Sequence, residues 1–243
     1  MNILDQIVKE KENHKIYLNQ KEKIFKYKYS RPNFYNSIKS EIDKNRNALI
    51  AEFKRFSPSV KRFKKIKSIQ DVIYDYNKSN CCCISILTDK NFGGSLNDIT
   101  IAKKITKKPI IRKDFIIDKM QVEESKYFGA DAILLIAKIL TKKKIKELHN
   151  HAIKIGLDVL IEIENYIEIK KISDIDAKLI GINNRNLREQ KIDIKKSIKL
   201  SSLLEKKIVV SESGVTSSNI KKIKKQSSIS SFLIGSSILN SNE

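Results

Sequence analysis

The sequence contains little glycine and proline and no tryptophan: its 243 residues include only 7 glycines and 3 prolines. Because no stretch is rich in both glycine and proline, no linker is visible, and we expect a single domain. No apolar run approaches the length of a membrane span, and the N-terminus lacks the apolar segment of a signal peptide. We therefore expect a cytoplasmic protein that does not bind a membrane.

Cysteine is also scarce, and the only three, Cys81, Cys82 and Cys83, follow one another directly. Consecutive cysteines cannot supply ligands at the spacing of a metal site, and they cannot pair neatly with each other. They lie in an apolar run, so we expect small buried side chains in a reducing compartment. The histidines, among them His149, fall in predicted helices outside any motif and are expected at the surface.

Positive charge is abundant, since 49 lysines and arginines against 28 acidic residues give a net charge of +21. Such an excess first suggests a nucleic-acid partner. The lysines are, however, spread over nearly every predicted helix, and no arginine-rich arm, zinc-ligand spacing or aromatic-interleaved basic motif accompanies them. Because lysine, isoleucine and asparagine dominate together, we favour compositional drift in an A+T-rich genome and expect no specific nucleic acid to bind.

From Ala48 onward, short continuous apolar runs alternate with segments of helical periodicity, as in parallel strands that are buried on both faces. The eight runs are Ala48 to Phe53, Cys81 to Leu87, Pro109 to Ile111, Ala132 to Ile136, Val159 to Ile163, Leu179 to Ile182, Ile208 to Val210 and Phe232 to Ile234. Strands that are each followed by a returning helix predict an α/β fold, a (β/α)8 TIM barrel over residues 48–243. The rival is a doubly wound open sheet, which usually has a glycine-rich turn after its first strand, and SPSVKRF is not such a turn.

Residues 1–47 carry helical periodicity instead. Asn2 can cap a first helix, with Asp5 in the position of a capping box. Arg31-Pro32 interrupts the pattern, and a second helix is predicted to start near Asn33. We therefore expect an N-terminal helical extension that belongs to the same structural domain.

Lys113 follows the third run and is flanked by Asp114 and Phe115. Burial at a strand end would deprive its ammonium group of water and lower its pKa towards values useful for proton transfer. For this segment alone, a solvated surface lysine is the better interpretation. The functional interpretation gains weight because polar residues recur at the equivalent point of other units.

These polar residues fall at the carboxyl ends of the predicted strands, where such barrels place their active sites. They are Glu52, Lys54 and Ser57 at the first run, Phe92 after the second, Lys113 and Phe115 after the third, Glu162 within the fifth, Asn183 and Arg185 after the sixth, Glu212, Ser213 and Gly214 after the seventh, and Gly235 and Ser236 after the eighth.

The glycines and serines of the last two loops suit a phosphate group. Among the lysines and glutamates, burial could leave one lysine acidic enough to donate a proton or one glutamate basic enough to accept one. A structural ion-pair network is the alternative for these charges. An amide beside an arginine, as in Asn183 and Arg185, suits a carboxylate or a polyol.

The residues lie in a series of stretches that runs through the whole predicted barrel. In order, the stretches are IAEFKRFSPS, ISILTDKNFGGSL, IIRKDFIID with QVEESKYFGADAILLIAKIL, GLDVLIEI, IGINNRNL, VSESGV and FLIGSSIL. Together they resemble the indole-3-glycerol-phosphate synthase family of tryptophan biosynthesis from about Ala48 to Leu239. Related phosphate-binding barrels share the last two motifs but not RKDF and GINNRNL together. One departure is Val60-Lys61 after Ser-Pro-Ser, where family members commonly have glycine, or lysine then glycine.

The resemblance implies a lyase reaction. Enzymes of this family close the indole ring of 1-(2-carboxyphenylamino)-1-deoxyribulose 5-phosphate, release CO2 and water, and need no metal or organic cofactor. By resemblance, Lys113 is the general acid at the substrate carbonyl, and Glu162 is an acid/base for later proton transfers. Lys54 would lie near the substrate carboxylate or phosphate, and Glu52 would steer its charge. The division of proton transfers among Lys54, Lys113 and Glu162 stays open.

The resemblance also assigns residues that hold the substrate. Asn183, Arg185 and Glu212 would hold the anthranilate part and the departing hydroxyl. The expected phosphate ligands are Ser57, Ser213, Gly214, Gly235 and Ser236. The expected apolar wall for the ring consists of Phe92, Phe115 and Leu187.

Two other functions are alternatives to the synthase. A barrel that has lost catalysis and binds nucleic acid is disfavoured by the intact Glu52, Lys54, Lys113 and Glu162. A sister barrel, such as phosphoribosylanthranilate isomerase, is disfavoured because the run from Lys113 to Leu140 fits the synthase. Since some family members are fused to that isomerase and this chain ends after one barrel, we expect a monofunctional monomer that acts on a small phosphorylated substrate.

Overall fold

The eight apolar runs form eight parallel strands that close into a barrel in sequence order, with β1 paired to β8. The computed structural model describes residues 3–13, 33–56, 68–186 and 191–235. The strands are β1 (Ala48–Phe53), β2 (Cys83–Leu87), β3 (Ile110–Lys113), β4 (Ala132–Ile136), β5 (Asp158–Ile163), β6 (Leu179–Asn183), β7 (Ile208–Glu212) and β8 (Ser231–Ile234). The predicted TIM barrel is confirmed, and the open sheet is excluded.

Three strands run further than the apolar pattern predicted. β3, β6 and β7 continue through Lys113, Asn183 and Glu212 respectively. In the ladder, Lys113 pairs with Leu87, and Asn183 pairs with Glu212. Ladder hydrogen bonds join backbone groups, so a polar side chain does not end a strand. These polar groups therefore stand on rigid strands rather than on loops.

Helices return the chain between the strands. In order they are α1 (Ile3–Asn13), α2 (Phe34–Asp43), α3 (Ile69–Lys78), α4 (Asn97–Ile105), α5 (Lys119–Tyr127), α6 (Lys142–Lys154), α7 (Tyr166–Ile172), α8 (Lys195–Ser201) and α9 (Ser217–Gln226). Ser68 and Thr141 cap α3 and α6, because each side chain accepts the N–H of the residue three positions later. Gly156 follows α6 with a φ of 76°, the left-handed conformation that ends helices.

The helix α2 closes the amino end of the barrel. The helix starts near Asn33 as predicted, and the Asn33 side chain caps it. Phe34 and Ile38 pack into the barrel interior with inward-facing residues such as Ile50. The Asp158 carboxylate at the start of β5 accepts the backbone N–H of Tyr35 at 2.9 Å. The predicted features at Asn2 and at Arg31-Pro32 lie outside the described residues.

The expectation of surface histidines was wrong for His149, of which only 6% is exposed. His149 lies four residues after Ile145, next to the apolar stripe by which α6 packs on the sheet, and its burial lowers its pKa. Cys81 and Cys83 are buried free thiols, whereas Cys82 is partly exposed. None of the helices in the described ranges is both long enough and apolar enough to cross a membrane.

Candidate active site

Lys113 lies at the centre of a cluster of charges inside the carboxyl end of the barrel. Its ammonium nitrogen is 2.5 Å from Glu212 Oε2, 3.4 Å from Glu162 Oε2 and 4.0 Å from Glu52 Oε2. The three glutamates come from β7, β5 and β1, and all three are buried. The strand ends thus bring together four residues that the sequence had predicted as site residues.

Lys54 adds a second ammonium group to the cluster. Its Nζ lies 2.5 Å from Glu52 Oε1, so Glu52 is in contact with both lysines. Gly235, which follows β8, lies against the same two side chains: a Cβ on it would come within 2.6 Å of Glu52 Oε1 and 3.2 Å of Lys54 Nζ. Any larger residue at position 235 would displace this ion pair.

Asn183 holds Glu162 in place. Its side-chain amide donates to Glu162 Oε1 at 3.0 Å, and its own carbonyl oxygen accepts the backbone N–H of Arg185. Burial lowers the pKa of the Arg185 guanidinium, whereas a neighbouring anion would favour its charged form. Asn183 therefore links the acid in β5 to the start of the loop after β6.

Gly181 is a residue that sequence reasoning missed. A methyl group at this position in β6 would overlap the Glu212 carboxylate, which fills the space that the missing side chain leaves. Glu212 Oε1 is buried and has no hydrogen-bond partner among the described residues. The signal was a glycine inside an apolar strand, which often marks a close approach of another group.

The lysine and the glutamate of the central contact have pKa values shifted upward. Burial lowers the pKa of Lys113, but Glu212, Glu162 and Glu52 together outweigh it, so that pKa is raised well above its ordinary value. The expected lowering of the Lys113 pKa was therefore wrong. The three carboxylates are distant from Lys113 in sequence, so the residues around it predicted its burial but not these charges. Burial and repulsion by Glu162 raise the pKa of Glu212 to about 7, despite the opposing effect of Lys113. The sequence had suggested that burial could leave one glutamate basic enough to accept a proton, and Glu212 has a pKa raised in that direction.

The two predicted aromatic residues stack on each other at the carboxyl end of the barrel. Phe92 ends a short 3-10 helix, Lys90–Phe92, after β2, and Phe115 follows β3. Their rings are stacked, with centroids 6.3 Å apart and an interplanar angle of 22°. Leu187, the third predicted member of the apolar wall, lies outside the described residues.

The predicted phosphate ligands stand on the neighbouring strands β7 and β8. Ser213 and Gly214 follow β7 with φ values of 64° and 69°, and Gly235 follows β8. The Asn219 side chain, in the first turn of α9, donates to the Gly214 carbonyl at 2.8 Å. Ser57 and Ser236, and the departure at Val60-Lys61, lie outside the described residues.

Asn184 is structural, although it stands in the same run as Asn183. It is fully buried, and its amide donates to Ser211 Oγ and to the Ser213 carbonyl. Its carbonyl oxygen accepts from the backbone and the hydroxyl of Ser197. Asn184 therefore ties β6, β7 and α8 together behind the predicted phosphate loop.

Comparison with known proteins gives consistent matches over the barrel. Residues 3–243 match the sequence model of a family described as "Indole-3-glycerol phosphate synthase". The chain is 41% identical over 206 residues to the indole-3-glycerol phosphate synthase of Bacteroides thetaiotaomicron, which covers 84% of this chain and 78% of that protein. It is 38% identical over 212 residues to the enzyme of the same name from Caldanaerobacter subterraneus, which covers 86% of this chain and 82% of that protein. It is also 37% identical over 243 residues to the "Tryptophan biosynthesis protein TrpCF" of Buchnera aphidicola, which covers 98% of this chain and 52% of that protein.

Proposed function

The chain belongs to the indole-3-glycerol phosphate synthase family, and from this membership we propose that it is a carboxy-lyase that forms the indole ring. The substrate is 1-(2-carboxyphenylamino)-1-deoxyribulose 5-phosphate, and CO2 and water leave. The family match does not favour the sister isomerase or the decayed nucleic-acid-binding barrel. The observation that carries the proposal is the contact of Lys113 with three buried glutamates at the carboxyl end of a barrel of this family.

Lys113 supplies the proton when the aromatic carbon attacks the carbonyl. Its raised pKa keeps the ammonium charged at neutral pH. The alkoxide that develops on the carbonyl oxygen is the conjugate base of a group about as weakly acidic as water, so even this ammonium can protonate it. The positive charge also stabilises the alkoxide before the proton moves.

The carboxylates handle the later proton transfers. Glu162, oriented by Asn183, accepts or returns protons as the ring regains aromaticity and water is lost. Glu212, whose pKa is about 7, is partly protonated at neutral pH and can donate to the departing hydroxyl. Burial of these groups strengthens each interaction with the developing charges.

The two ends of the substrate are held on opposite sides of this cluster. The backbone of Ser213, Gly214 and Gly235 binds the phosphate, with Ser57 and Ser236 as further ligands. Phe92, Phe115 and Leu187 enclose the aromatic ring. Arg185 and Lys54 offer positive charge to the carboxylate that leaves as CO2, and Glu52 orients Lys54. Fixing both ends places the reacting carbons near each other over Lys113.

A product assay tests this function. The purified protein is mixed with the carboxyphenylamino-deoxyribulose phosphate, and indole fluorescence and CO2 are followed together. We expect both to appear in equal amounts, and we expect no conversion of phosphoribosylanthranilate, the substrate of the sister isomerase. A folded protein that gives no indole product, or indole without CO2, would contradict the proposal.

We also propose that the protein works in the cytoplasm without a metal or organic cofactor. Buried free thiols at Cys81 and Cys83 suit a reducing compartment. Turnover in the presence of a chelator tests the second statement, and we expect it to be undiminished.

A further inference from the structure

The N-terminal helix α1 reaches the active-site end of the barrel through two neighbouring residues, Glu10, which contacts Lys90 and Asn91, and Lys11. Lys11 Nζ lies 2.9 Å from Asp89 Oδ2 and 2.7 Å from Asp114 Oδ1. The carboxylates come from two separate segments, after β2 and after β3, and their side chains are 0% and 1% exposed. A single ammonium group therefore bridges two buried acids that are adjacent in space but not in sequence.

The other carboxylate oxygens of these two acids have partners of their own. Asp89 Oδ1 accepts the backbone N–H of Asn91, so Lys11 is the cation that neutralises Asp89. Asp114 Oδ2 binds Arg112 and Thr88. Lys11 therefore adds a charged link between the two segments, beside the hydrogen bond from Thr88 in the first segment to Asp114 in the second.

Both segments carry the aromatic wall. Asp89 caps the 3-10 helix that ends at Phe92, and its backbone carbonyl accepts the Phe92 N–H at 3.1 Å. Asp114 Oδ1, the oxygen that Lys11 contacts, also accepts the N–H of Phe115 at 2.8 Å. Phe115 is therefore hydrogen-bonded to one carboxylate that Lys11 contacts, and Phe92 to the backbone of the residue that carries the other.

We propose that Lys11 is a positioning residue, which sets the spacing of Phe92 and Phe115 and thereby the affinity of the site for the aromatic end of the substrate. The proposal rests on the function proposed above in so far as these rings face the substrate ring. Without the ammonium, Asp89 loses its counter-ion beside the buried Asp114, and the repulsion between the two carboxylates shifts the segment after β2 relative to the segment after β3. Lys11 acts through Asp89 and Asp114 and does not touch the substrate.

The helix α1 is also attached to the barrel by apolar residues. The role of Lys11 in positioning the rings can therefore be distinguished from a role in holding the helix in place. Leu4 and Ile7 are buried, so the helix retains a hydrophobic anchor when the lysine is changed. A cavity of about 250 Å³ adjoins Lys11, Arg112 and Asp114. The cavity has room for the larger head group of arginine, so Lys11→Arg should preserve the bridge.

The test compares Lys11→Met, which keeps the length of the side chain but removes its charge, with Lys11→Arg and with Lys9→Met. Lys9 is exposed on the same helix and serves as the matched control. Three quantities are measured: KM and kcat for ring closure, the dissociation constant of 2-aminobenzoate from its own fluorescence, and the inhibition constant of inorganic phosphate. The phosphate probe reports the opposite end of the site, at β7 and β8.

For Lys11→Met we expect KM and the 2-aminobenzoate dissociation constant to rise about tenfold, with a smaller change in kcat and an unchanged phosphate inhibition constant. Lys11→Arg should restore most of the loss, and Lys9→Met should behave as the wild type. Unchanged KM and 2-aminobenzoate binding in folded Lys11→Met would overturn the proposal. An equal loss of phosphate binding would also overturn it, because that would indicate general loosening.

If the wild type does not catalyse ring closure, the proposed reaction is rejected. The role of Lys11 is then decided by 2-aminobenzoate binding alone. If Lys11→Met does not fold, the double variant Lys11→Met with Asp89→Asn removes both members of one buried ion pair. We expect it to fold and to bind 2-aminobenzoate more weakly than the wild type. Binding equal to the wild type would overturn the proposal, as would a chain that folds only with a cation at position 11.

Discussion

At the scale of single residues, the central contact joins parts of the chain that lie far apart in sequence. Lys113 and Glu212 are 99 positions apart, and Lys113 and Glu162 are 49 apart. Their pKa values depend on three acids that converge only when the barrel closes. Whether the pKa of Lys113 is raised or lowered therefore depends on the fold. The residues next to Lys113 in sequence could predict only that its burial would lower the pKa.

The raised pKa of Glu212 makes a stability prediction. In the folded state its pKa is about 7, against 4.5 as the ordinary value. The folded protein therefore binds this proton more tightly than the unfolded chain, so Glu212 costs stability as the pH rises from 4.5 through 7. Glu212→Gln should abolish this loss of stability, which for a pKa that rises from 4.5 to about 7 is on the order of 3 kcal/mol at pH values above that window.

Urea unfolding of the two proteins at acidic and at neutral pH measures the effect. The wild type should lose more free energy of unfolding between the two conditions than the variant does. The same loss in both proteins would contradict a raised pKa for Glu212. As a control, Glu205→Gln changes an exposed acid outside the cluster and should follow the wild type.

At the scale of elements, the strands were predictable and their polar ends were not. Continuous apolar runs marked β1 from Ala48 to Phe53 correctly, because such runs are typical of strands buried on both faces. The pattern ended β3 at Ile111, although backbone pairing carries the strand through Lys113. Hydropathy detects residues that are buried in apolar surroundings. It does not detect the end of a strand whose polar side chains are buried against other polar side chains. Hydropathy likewise does not identify Glu212 as the group that approaches Gly181, or Asp89 and Asp114 as the partners of Lys11.

The helix α2 gives a prediction at this scale. Phe34 is fully buried in the amino end of the barrel, so Phe34→Ala should lower the free energy of unfolding by about 3 to 5 kcal/mol. Asn36→Ala on the exposed face of the same helix should change it by less than about 0.5 kcal/mol. The folded Phe34→Ala protein should keep its kcat, because the charged cluster lies at the other end of the strands. A large loss of kcat without a loss of stability would contradict this division of the barrel.

At the scale of the whole molecule, the protein has a net charge of +21, whereas the proposed substrate is an anion that carries a phosphate and a carboxylate. A positive field raises the local concentration of anions, and salt screens it. We therefore predict that KM rises severalfold as ionic strength increases, while kcat changes little. Sodium chloride and potassium chloride should act equally at equal ionic strength. A KM that does not depend on salt would show that the lysines contribute nothing to substrate capture.

The monomeric state and the absence of a specific nucleic-acid partner stay predictions at this scale. Compositional drift explains dispersed lysines without any partner. Size-exclusion chromatography with light scattering tests the first statement, and salt-dependent binding to mixed DNA and RNA tests the second. A dimer, or a nucleic acid bound tightly at high salt, would contradict them.

The most direct test of the account is the rate of indole formation by Lys113→Ala and Lys113→Arg beside the wild type. Arginine keeps the positive charge for Glu212, Glu162 and Glu52 but cannot give up a proton, so it isolates proton donation from charge. We predict that the wild type forms the indole product and that both variants, folded by circular dichroism, lose at least about a hundredfold in kcat. Turnover near the wild-type rate in Lys113→Ala would contradict the central role of this lysine.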